Sequence, residues 1–261
     1  MADRWRQVAR EHHPSHEANE GLATWVRSGQ PTLIYRGSAS VPKEFVDAGT
    51  WVHIGDPDAH GDLLVDCYQG EATARAKMFR ATRSEGSTRD YVHPLAPGEL
   101  YNNSFVAITP DGAWMASGEW GTMSRLLVFP TPELNPEADP ENLALRGVIH
   151  LDRPVRNVQG ASFVGATTLL CATDDPGRDL WPVSRQLLQV ELERPLAGGD
   201  VEGRVTLLQA LPMDSLCSGT FETEGVDYDA RTGDLRVIVV PPAPCNWAAV
   251  DVYRFRRETA G

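Results

Sequence analysis

One short phrase recurs along the chain and restricts the folds that the chain can adopt. Residues 221–241, FETEGVDYDARTGDLRVIVVP, join a mixed polar and apolar run to an apolar, β-branched run through a turn that contains glycine. Glycine permits the positive φ of a tight turn and β-branched residues favour strands, so the phrase predicts a β-hairpin. Weaker copies lie at residues 50–68, 103–117 and 159–173, at intervals of about 55 to 65 residues. This period suits a repeated four-stranded unit.

Each interval also contains the further strands that such a unit needs. The predicted strands are 50–54, 63–68, 76–81 and 91–95 in the first unit; 104–108, 114–117, 125–129 and 145–151 in the second; 158–164, 168–173, 186–192 and 204–211 in the third; and 224–228, 235–240 and 249–254 in the fourth. The fourth unit is one strand short, whereas the predicted strand at residues 32–36 belongs to no unit. If that strand completes the fourth unit, the units close into a ring with few exposed sheet edges.

We therefore predict an all-β protein, a small β-propeller closed by an N-terminal strand. The count favours four blades, and five is the alternative if a further blade lies within residues 1–48. A pair of β-sandwiches would explain the strands but not the recurring phrase. Before residue 28, apolar residues are spaced as in one or two short helices: Trp5, Val8, Leu22, Trp25 and Val26. The predicted domains are thus a helical extension, residues 1–30, and the propeller, residues 31–261.

The net charge of the chain and the length of its apolar runs restrict its possible partners. A net charge of −12 argues against nucleic acid, because binding to a phosphate backbone needs concentrated Lys and Arg. No apolar run reaches the roughly 20 residues of a membrane span. The first residues lack an apolar signal core, which predicts a soluble, cytoplasmic protein. We expect neither nucleic acid nor membrane as a partner.

The four cysteines lack the paired spacing of zinc sites. Cys67 and Cys171 lie in apolar strand runs and are expected to be buried thiols. Cys217 and Cys245 lie in predicted loops, where a disulfide and two free thiols are both compatible with the sequence.

The clearest copy of the phrase resembles a known family. ETEGVDYDARTGDLRVIVV, residues 222–240, is similar to the inner hairpin of strictosidine-synthase-like and gluconolactonase-like propellers, in which Glu-Gly or Asn-Gly opens the innermost strand. Residues 159–173, QGASFVGATTLLCAT, resemble that hairpin more weakly. The resemblance implies that Glu224, which opens the innermost strand, faces an axial channel and helps to hold a divalent cation.

Propeller connectivity brings the beginnings of all inner strands to one face, near the axis. Glu224 is the leading acid/base candidate there, because a carboxylate near a narrow, partly dry channel has a raised pKa. Glu119 is its expected partner across the channel, and His53 on the first inner strand is the third catalytic candidate. The alternative for Glu224 is a hydrogen bond to backbone amides of a neighbouring blade, and for His53 a structural role.

Loops on the same face supply further candidates. Flat aromatic side chains around a few polar groups are typical of a small-molecule pocket, and the predicted substrate-binding residues are Asn103, Gln159, Tyr68, Trp120, Asp174, Trp181 and Trp247. The alternative for the tryptophans is packing between blades. If a cation such as Ca²⁺ is bound, Glu224, Gln159 and Asn103 are its predicted ligands, since hard cations prefer such oxygens. Residues 56–62, DPDAHGD, resemble the start of a calcium loop but favour a plain polar turn, because His60 replaces an oxygen ligand.

Two functions follow from this pattern. The first is an enzyme of the hydrolase, lyase or isomerase type that acts on a small organic molecule through carboxylates at the axial pocket. The second is a non-catalytic propeller that binds a ligand or a partner protein. The convergence of carboxylates and tryptophans on one face favours the enzyme.

Overall fold

The structure is a computed structural model that describes residues 4–258, and strands dominate it. The strands are β1 Trp5–Pro14, β2 Gly21–Arg27, β3 Gln30–Arg36, β4 His53–Ile54, β5 Asp58–His60, β6 Leu63–Gln69, β7 Ala76–Arg83, β8 Thr88–Pro94, β9 Val106–Ile108, β10 Trp114–Ser117, β11 Thr122–Pro130, β12 Gly147–Arg156, β13 Val158–Phe163, β14 Thr168–Asp174, β15 Arg185–Leu192, β16 Val201–Ala210, β17 Glu222–Asp229, β18 Asp234–Val240 and β19 Ala249–Arg257. The helices are short: α1 Ser15–Ala18, α2 Lys43–Ala48, and 3-10 helices Ser38–Ser40 and Cys245–Trp247.

Strands within each of the four predicted units pair antiparallel, and the chain is an all-β propeller. The first unit is β4 and β5 on β6, followed by β7 and β8; the second is β9 to β12, and the third is β13 to β16. The outer strands β12 and β16 pair in parallel and join the second and third units at the perimeter. The fourth unit is β17, β18 and β19, and its outermost strand is β1.

A two-stranded hairpin, β2–β3, takes a further position in the ring. Its turn has Ser28 at φ 50° and Gly29 at φ 74°, the pair of positive φ angles that suits a tight hairpin. Strand β2 contacts β17 on one side and β5 on the other, and the remaining inner strands contact one another in the order β5, β9, β13, β17. The ring therefore consists of a five-stranded unit, three four-stranded units and the two-stranded hairpin.

The predicted helical segment at the N-terminus is wrong. Residues 5–14 form β1, which pairs with β19 over nearly its whole length, and only Ser15–Ala18 is helical. The predicted closing strand at residues 32–36 exists as part of β3, but it pairs with β2 and not with the fourth unit. The spacing of Trp5 and Val8 led to a wrong prediction of a helix. Because β1 is an outer strand with mostly exposed side chains, it lacks the alternating apolar residues by which a strand is recognised.

The apolar core lies between neighbouring sheets. Phe79 of the first unit and Phe129 of the second are fully buried, with ring centroids 5.3 Å apart. Comparable clusters lie between the second and third units and between the third and fourth. Smaller clusters pack the hairpin β2–β3 against the fourth unit and against Leu64 of the first. Each unit is thus held by both of its neighbours.

A buried carboxylate, Asp56, joins three sectors at the axis. Its oxygens accept hydrogen bonds from the backbone N–H groups of Leu22 on β2 and Val226 on β17, each at 3.0 Å. Glycines surround it, because a Cβ at Gly160 would lie 2.6 Å from Asp56 Oδ2 and one at Gly21 would lie 2.7 Å from Oδ1. Only glycine leaves room for this carboxylate.

Asp58, two residues later, accepts a 2.7 Å hydrogen bond from the N–H of Ile108 in the next unit. The segment 56–62, which was predicted to be a turn, contains strand β5, and the turn itself is at Gly61, which has a positive φ. Both aspartates bind backbone groups of other sectors, which favours a structural role for this segment over a calcium loop.

Cys217 and Cys245 form a disulfide, with Cα atoms 5.9 Å apart, while Cys67 and Cys171 are buried free thiols. Disulfides are typical of oxidising compartments, so this bond argues against the cytoplasmic location, which stays a prediction. None of the helices within residues 4–258 has the length and apolarity to cross a membrane.

Candidate functional site

A cleft of about 520 Å³ opens where the inner strands begin. Every sector contributes to it: the residues that enter or begin β2, β4, β9, β13 and β17 meet at one end of the axis. The lining residues are Ser15, Asn19, Glu20, His53, Gly55, Gln69, Tyr101, Asn102, Ser104, Trp120, Gln159, Glu222, Glu224, Val240 and Asn246. The lining is polar, and its ionisable groups are three glutamates, a histidine and a tyrosine.

The three glutamates come from two strand beginnings. Glu222 and Glu224 lie two residues apart at the beginning of β17, and both line the cleft. Thr223 between them donates through its N–H and its hydroxyl to Asp174, which holds this end of β17 in place. Glu20 directly precedes β2, where its N–H donates to Arg36 O at 3.0 Å and its carboxylate accepts from Asn19 Nδ2 at 3.0 Å.

Burial and mutual repulsion raise the pKa values of two of these carboxyls. Burial, followed by the negative charge of Glu222, raises the pKa of Glu20 to about 8. Burial also raises the pKa of Glu224 well above its ordinary value, and the nearby carboxylates of Glu20, Asp174, Glu222 and Asp56 raise it further. Near pH 7 the cleft therefore holds at least one carboxyl group, that of Glu20, that can donate a proton.

His53, a predicted catalytic residue, begins β4 at the cleft wall. Its Nε2 lies 3.5 Å from Glu20 Oε2, and burial lowers the pKa of the imidazole. With the pKa of Glu20 raised to about 8 and that of His53 lowered, both groups are mainly neutral near pH 7. The contact between His53 and Glu20 is therefore one between neutral groups and not an ion pair. A neutral imidazole can accept a proton.

The structure brings four predicted site residues to the cleft: Glu224, Gln159, His53 and Trp120. Gln159 Nε2 donates to Glu224 Oε1 at 3.3 Å, so these two side chains meet as predicted from the inner-strand beginnings. Trp120 is 41% exposed and forms part of the wall.

Asn103 and Tyr68 do not reach the cleft. Asn103 is fully buried: its Nδ2 donates to the backbone oxygens of Tyr68 and Met78, and its Oδ1 accepts from Ser117. Tyr68 packs edge-on against Phe45 in the first unit. All polar atoms of the Asn103 amide are thus used within the fold.

The predicted pairing of Glu119 with Glu224 is not formed. Glu119 binds Arg125 through both oxygens, at 2.9 and 3.1 Å, and accepts from the N–H of Leu100. It lies in a separate depression beside β11. Asp174 is also outside the lining, because it binds Thr223 and lies 3.1 Å from Arg185 Nε. Its role is to position β17.

The two remaining tryptophans lie elsewhere. Trp181 is 4% exposed and packs in the core of the second and third units, with the Arg153 guanidinium 4.7 Å from its ring centroid. Trp247 is 79% exposed on the 3-10 helix after the disulfide, next to Asn246 at the cleft edge.

The predicted cation ligands do not converge. Asn103 is committed to the backbone of the first unit, and the Gln159 amide presents its N–H, not its oxygen, to Glu224. Within residues 4–258 no group of three or more His, Cys, Asp or Glu side chains is arranged to hold a metal ion.

Two important residues were missed from the sequence. Glu20 lies in the segment that we predicted to be helical, so nothing indicated its place at the axis. Glu222 could have been found, since it lies only two residues before Glu224 at the beginning of the same predicted hairpin.

No family model and no curated protein matches the chain. Solved β-propellers are similar to it in structure. The β-propeller domain of Cps50 (Swd1) from Myceliophteria thermophila has 13% identity and a TM-score of 0.35, over 69% of this chain and 46% of that one. Arabinanase Arb43A from Bacillus subtilis has 11% identity and a TM-score of 0.44, over 97% and 92%. The β-propeller domain of the trilobed protease from Pyrococcus furiosus has 9% identity and a TM-score of 0.33, over 73% and 55%. The chain thus spans less than half of the Cps50 structure, and these likenesses concern the fold alone.

Proposed function

We propose that the cleft is the active site of an enzyme that acts on a small organic molecule by general acid–base catalysis. The observation that carries this proposal is the meeting of Glu20, Glu222 and Glu224 in one concave cleft that has no Lys or Arg in its described lining. Carboxyl groups with raised pKa values are the usual proton donors of enzymes at neutral pH.

Glu224 is the proposed general acid. Gln159 orients its carboxyl group through the 3.3 Å hydrogen bond to Oε1. His53 is the proposed base, because its lowered pKa leaves the imidazole neutral and able to accept a proton. Removal of a proton from one substrate atom and protonation of another is the pattern that hydrolysis, elimination and isomerisation share. The proposed activity is therefore of the hydrolase, lyase or isomerase type.

A non-catalytic binding propeller is the second candidate. The observation that favours it is the pair of exposed apolar side chains beside the disulfide, Leu216 and Trp247. Exposed apolar groups that lie near one another are typical of docking surfaces for other molecules.

A substrate panel with one matched control tests the proposal. Wild type, Glu224→Gln and Glu202→Gln would be assayed on nitrophenyl glycosides, lactones and esters; Glu202 is exposed on β16, away from the cleft. We expect turnover by wild type and Glu202→Gln, and a loss of about 10²- to 10⁴-fold in Glu224→Gln at an unchanged unfolding midpoint. Equal turnover by all three proteins would refute the role of Glu224. Binding of a panel compound with no chemical change in it would favour the second candidate.

A further inference from the structure

We infer that the cleft binds an organic ammonium ion, a small molecule with a positively charged nitrogen. The inference rests on the cleft of the proposed function and specifies the class of its ligand. It comes from a comparison between the cleft and the rest of the protein, in which most buried carboxylates have cationic partners.

Buried carboxylates outside the cleft are matched within the fold. Asp66 binds Arg36 at 2.6 Å, and Asp251 binds Arg10 at 2.9 Å. The same holds for Glu119 with Arg125, Asp175 with Arg156, Asp227 with Arg236, Asp234 with Arg256 and Glu99 with Lys77. Asp56 and Asp58 instead accept hydrogen bonds from backbone N–H groups. Such partners are expected, because a carboxylate that is buried away from water needs a cation or hydrogen-bond donors to offset its lost hydration.

The cleft departs from this rule. Glu224 is only 8% exposed and lines the cleft, yet within residues 4–258 its one hydrogen-bond donor is Gln159, on Oε1, and Oε2 has none. Glu222 has no ion pair in the same part of the chain. Glu20 accepts a hydrogen bond from Asn19 Nδ2, and its one contact with a described basic side chain is the 3.5 Å contact to His53. Three carboxyl groups thus share a cavity in which the described side chains supply no Lys or Arg.

Aromatic faces in the cleft offer a second kind of contact to a cation. Five rings outside the cleft carry a guanidinium over the face: Trp25, Phe45, Tyr91, Trp181 and Tyr253. Tyr101 and Trp120, the aromatic residues of the cleft, have no such arginine among the described residues. An ammonium group attracts both carboxylates and ring faces, so a single ligand group would satisfy both sets.

The size of the cleft favours an organic cation over a metal ion. A volume of about 520 Å³ falls within the usual range of sites for small organic molecules. No described group of three or more ligating side chains is arranged around a metal position.

Binding of a cation should release protons. The groups that face Glu224 are the carboxylates of Glu20, Asp174, Glu222 and Asp56, which raise its pKa, while Asp174 itself is paired with Arg185. Glu20 faces Glu222 and His53. A positive charge among these groups favours their ionised forms, so binding at pH 7 would displace protons into solvent.

Calorimetry with choline and its neutral isostere, 3,3-dimethylbutan-1-ol, tests the inference on the full chain. We expect choline to bind about tenfold or more tightly than the isostere at pH 8. Glu222→Gln should weaken choline about tenfold, because a charge-assisted contact is lost, and Glu202→Gln should leave the affinity unchanged. Titrations in phosphate and in Tris at pH 7 should differ in heat, because protons are released.

Three results would overturn the inference: equal binding of choline and the isostere, no binding of either, or displacement of choline by equimolar CaCl₂. The outcome is separate from that of the catalytic test. Turnover of a neutral substrate that depends on Glu224, without choline binding, would refute the ammonium ligand and leave the proposed enzyme intact. Choline binding without turnover of any compound would do the reverse.

Discussion

The protonation of Glu20 at neutral pH gives a prediction that stability measurements can test without a substrate. Burial and the charge of Glu222 raise its pKa from 4.5 to about 8 in the folded protein. The folded state then binds more protons than the unfolded state between these two values. Stability is therefore highest below pH 4.5 as far as Glu20 is concerned, and it falls as the pH rises towards 8.

The size of the effect follows from the shift. The pKa of Glu20 rises from 4.5 to about 8, and each pKa unit corresponds to about 1.4 kcal/mol. The upper limit of the effect on the free energy of unfolding is therefore roughly 5 kcal/mol. Water in the open cleft reduces this value, so we expect about 2 to 5 kcal/mol. Glutamine resembles the protonated carboxyl in shape. Glu20→Gln should therefore match wild type at pH 5 and exceed its free energy of unfolding by that amount at pH 9.

The assay is urea unfolding followed by tryptophan fluorescence, under non-reducing conditions, at intervals from pH 5 to 9. Glu202→Gln is the matched control, since Glu202 is exposed and its removal should leave the pH dependence of wild type unchanged. Parallel curves for wild type and Glu20→Gln over this range would refute the argument that burial beside Glu222 keeps Glu20 protonated.

Three further predictions concern the axis and the disulfide. Asp56→Ala should lower the free energy of unfolding by about 2 to 6 kcal/mol in urea titrations, because it leaves two buried N–H groups without an acceptor. Gly225→Ala should lower the free energy of unfolding by at least about 1 to 3 kcal/mol, because the new Cβ collides with Asp56 Oδ1. Gly165→Ala is the control: no atom lies closer than 3.6 Å to its new Cβ, so stability should change by less than about 0.5 kcal/mol. Equal melting temperatures for the two variants would contradict this prediction. Replacing Cys217 and Cys245 together by alanine should cost about 3 to 4 kcal/mol in urea unfolding, because the bond closes a loop of 28 residues; an unchanged midpoint would show that the loop is held by other contacts.

The strands of the four units could be predicted because their apolar runs are central in the sheets. Residues 235–240, for example, became β18, which is paired on both sides and almost wholly buried. Such a strand must be apolar, so its burial is visible in the sequence. The inner hairpins were visible for the same reason, together with turn glycines such as Gly112 and Gly233 at positive φ.

Strand β1 could not be predicted on these grounds. It forms the outer edge of the fourth unit, where only Trp5 is buried, and its partner β19 lies more than 230 residues away along the chain. Part of its attachment to β19 is ionic: His12 and Arg10 bind Asp251 at 2.7 and 2.9 Å. Contacts of this kind stabilise a strand but leave no periodic pattern in the sequence.

The site was predicted in part for a related reason. The rule that inner strands begin at one face led to Gln159 and Glu224, because both lie on strands that the sequence reveals. Glu20 enters through β2, whose sector was hidden, and it is the residue that brings a third carboxyl to the axis. Asn103 also lies just before an inner strand, as the rule requires, but its amide donates to backbone oxygens of the first unit and not into the cleft. The orientation of that side chain depends on packing, which the sequence does not show.

The energetics of the cleft are what distinguish it from the other acidic parts of the fold. Nearly every other buried carboxylate of the fold has an arginine or backbone N–H groups as partner, whereas Glu20, Glu222 and Glu224 share one cleft without such a cation in its described lining. The raised pKa values of Glu20 and Glu224 express the free energy that this arrangement costs. One arginine in place of Gln159 would relieve most of that cost. Strain that the fold could remove so simply is typical of functional sites, where residues are placed for a ligand and not for stability. By this reasoning Gln159→Arg should stabilise the protein, with a rise in melting temperature at pH 8, and abolish binding of choline in the calorimetric assay. A stabilised variant that still bound choline would place the ligand elsewhere.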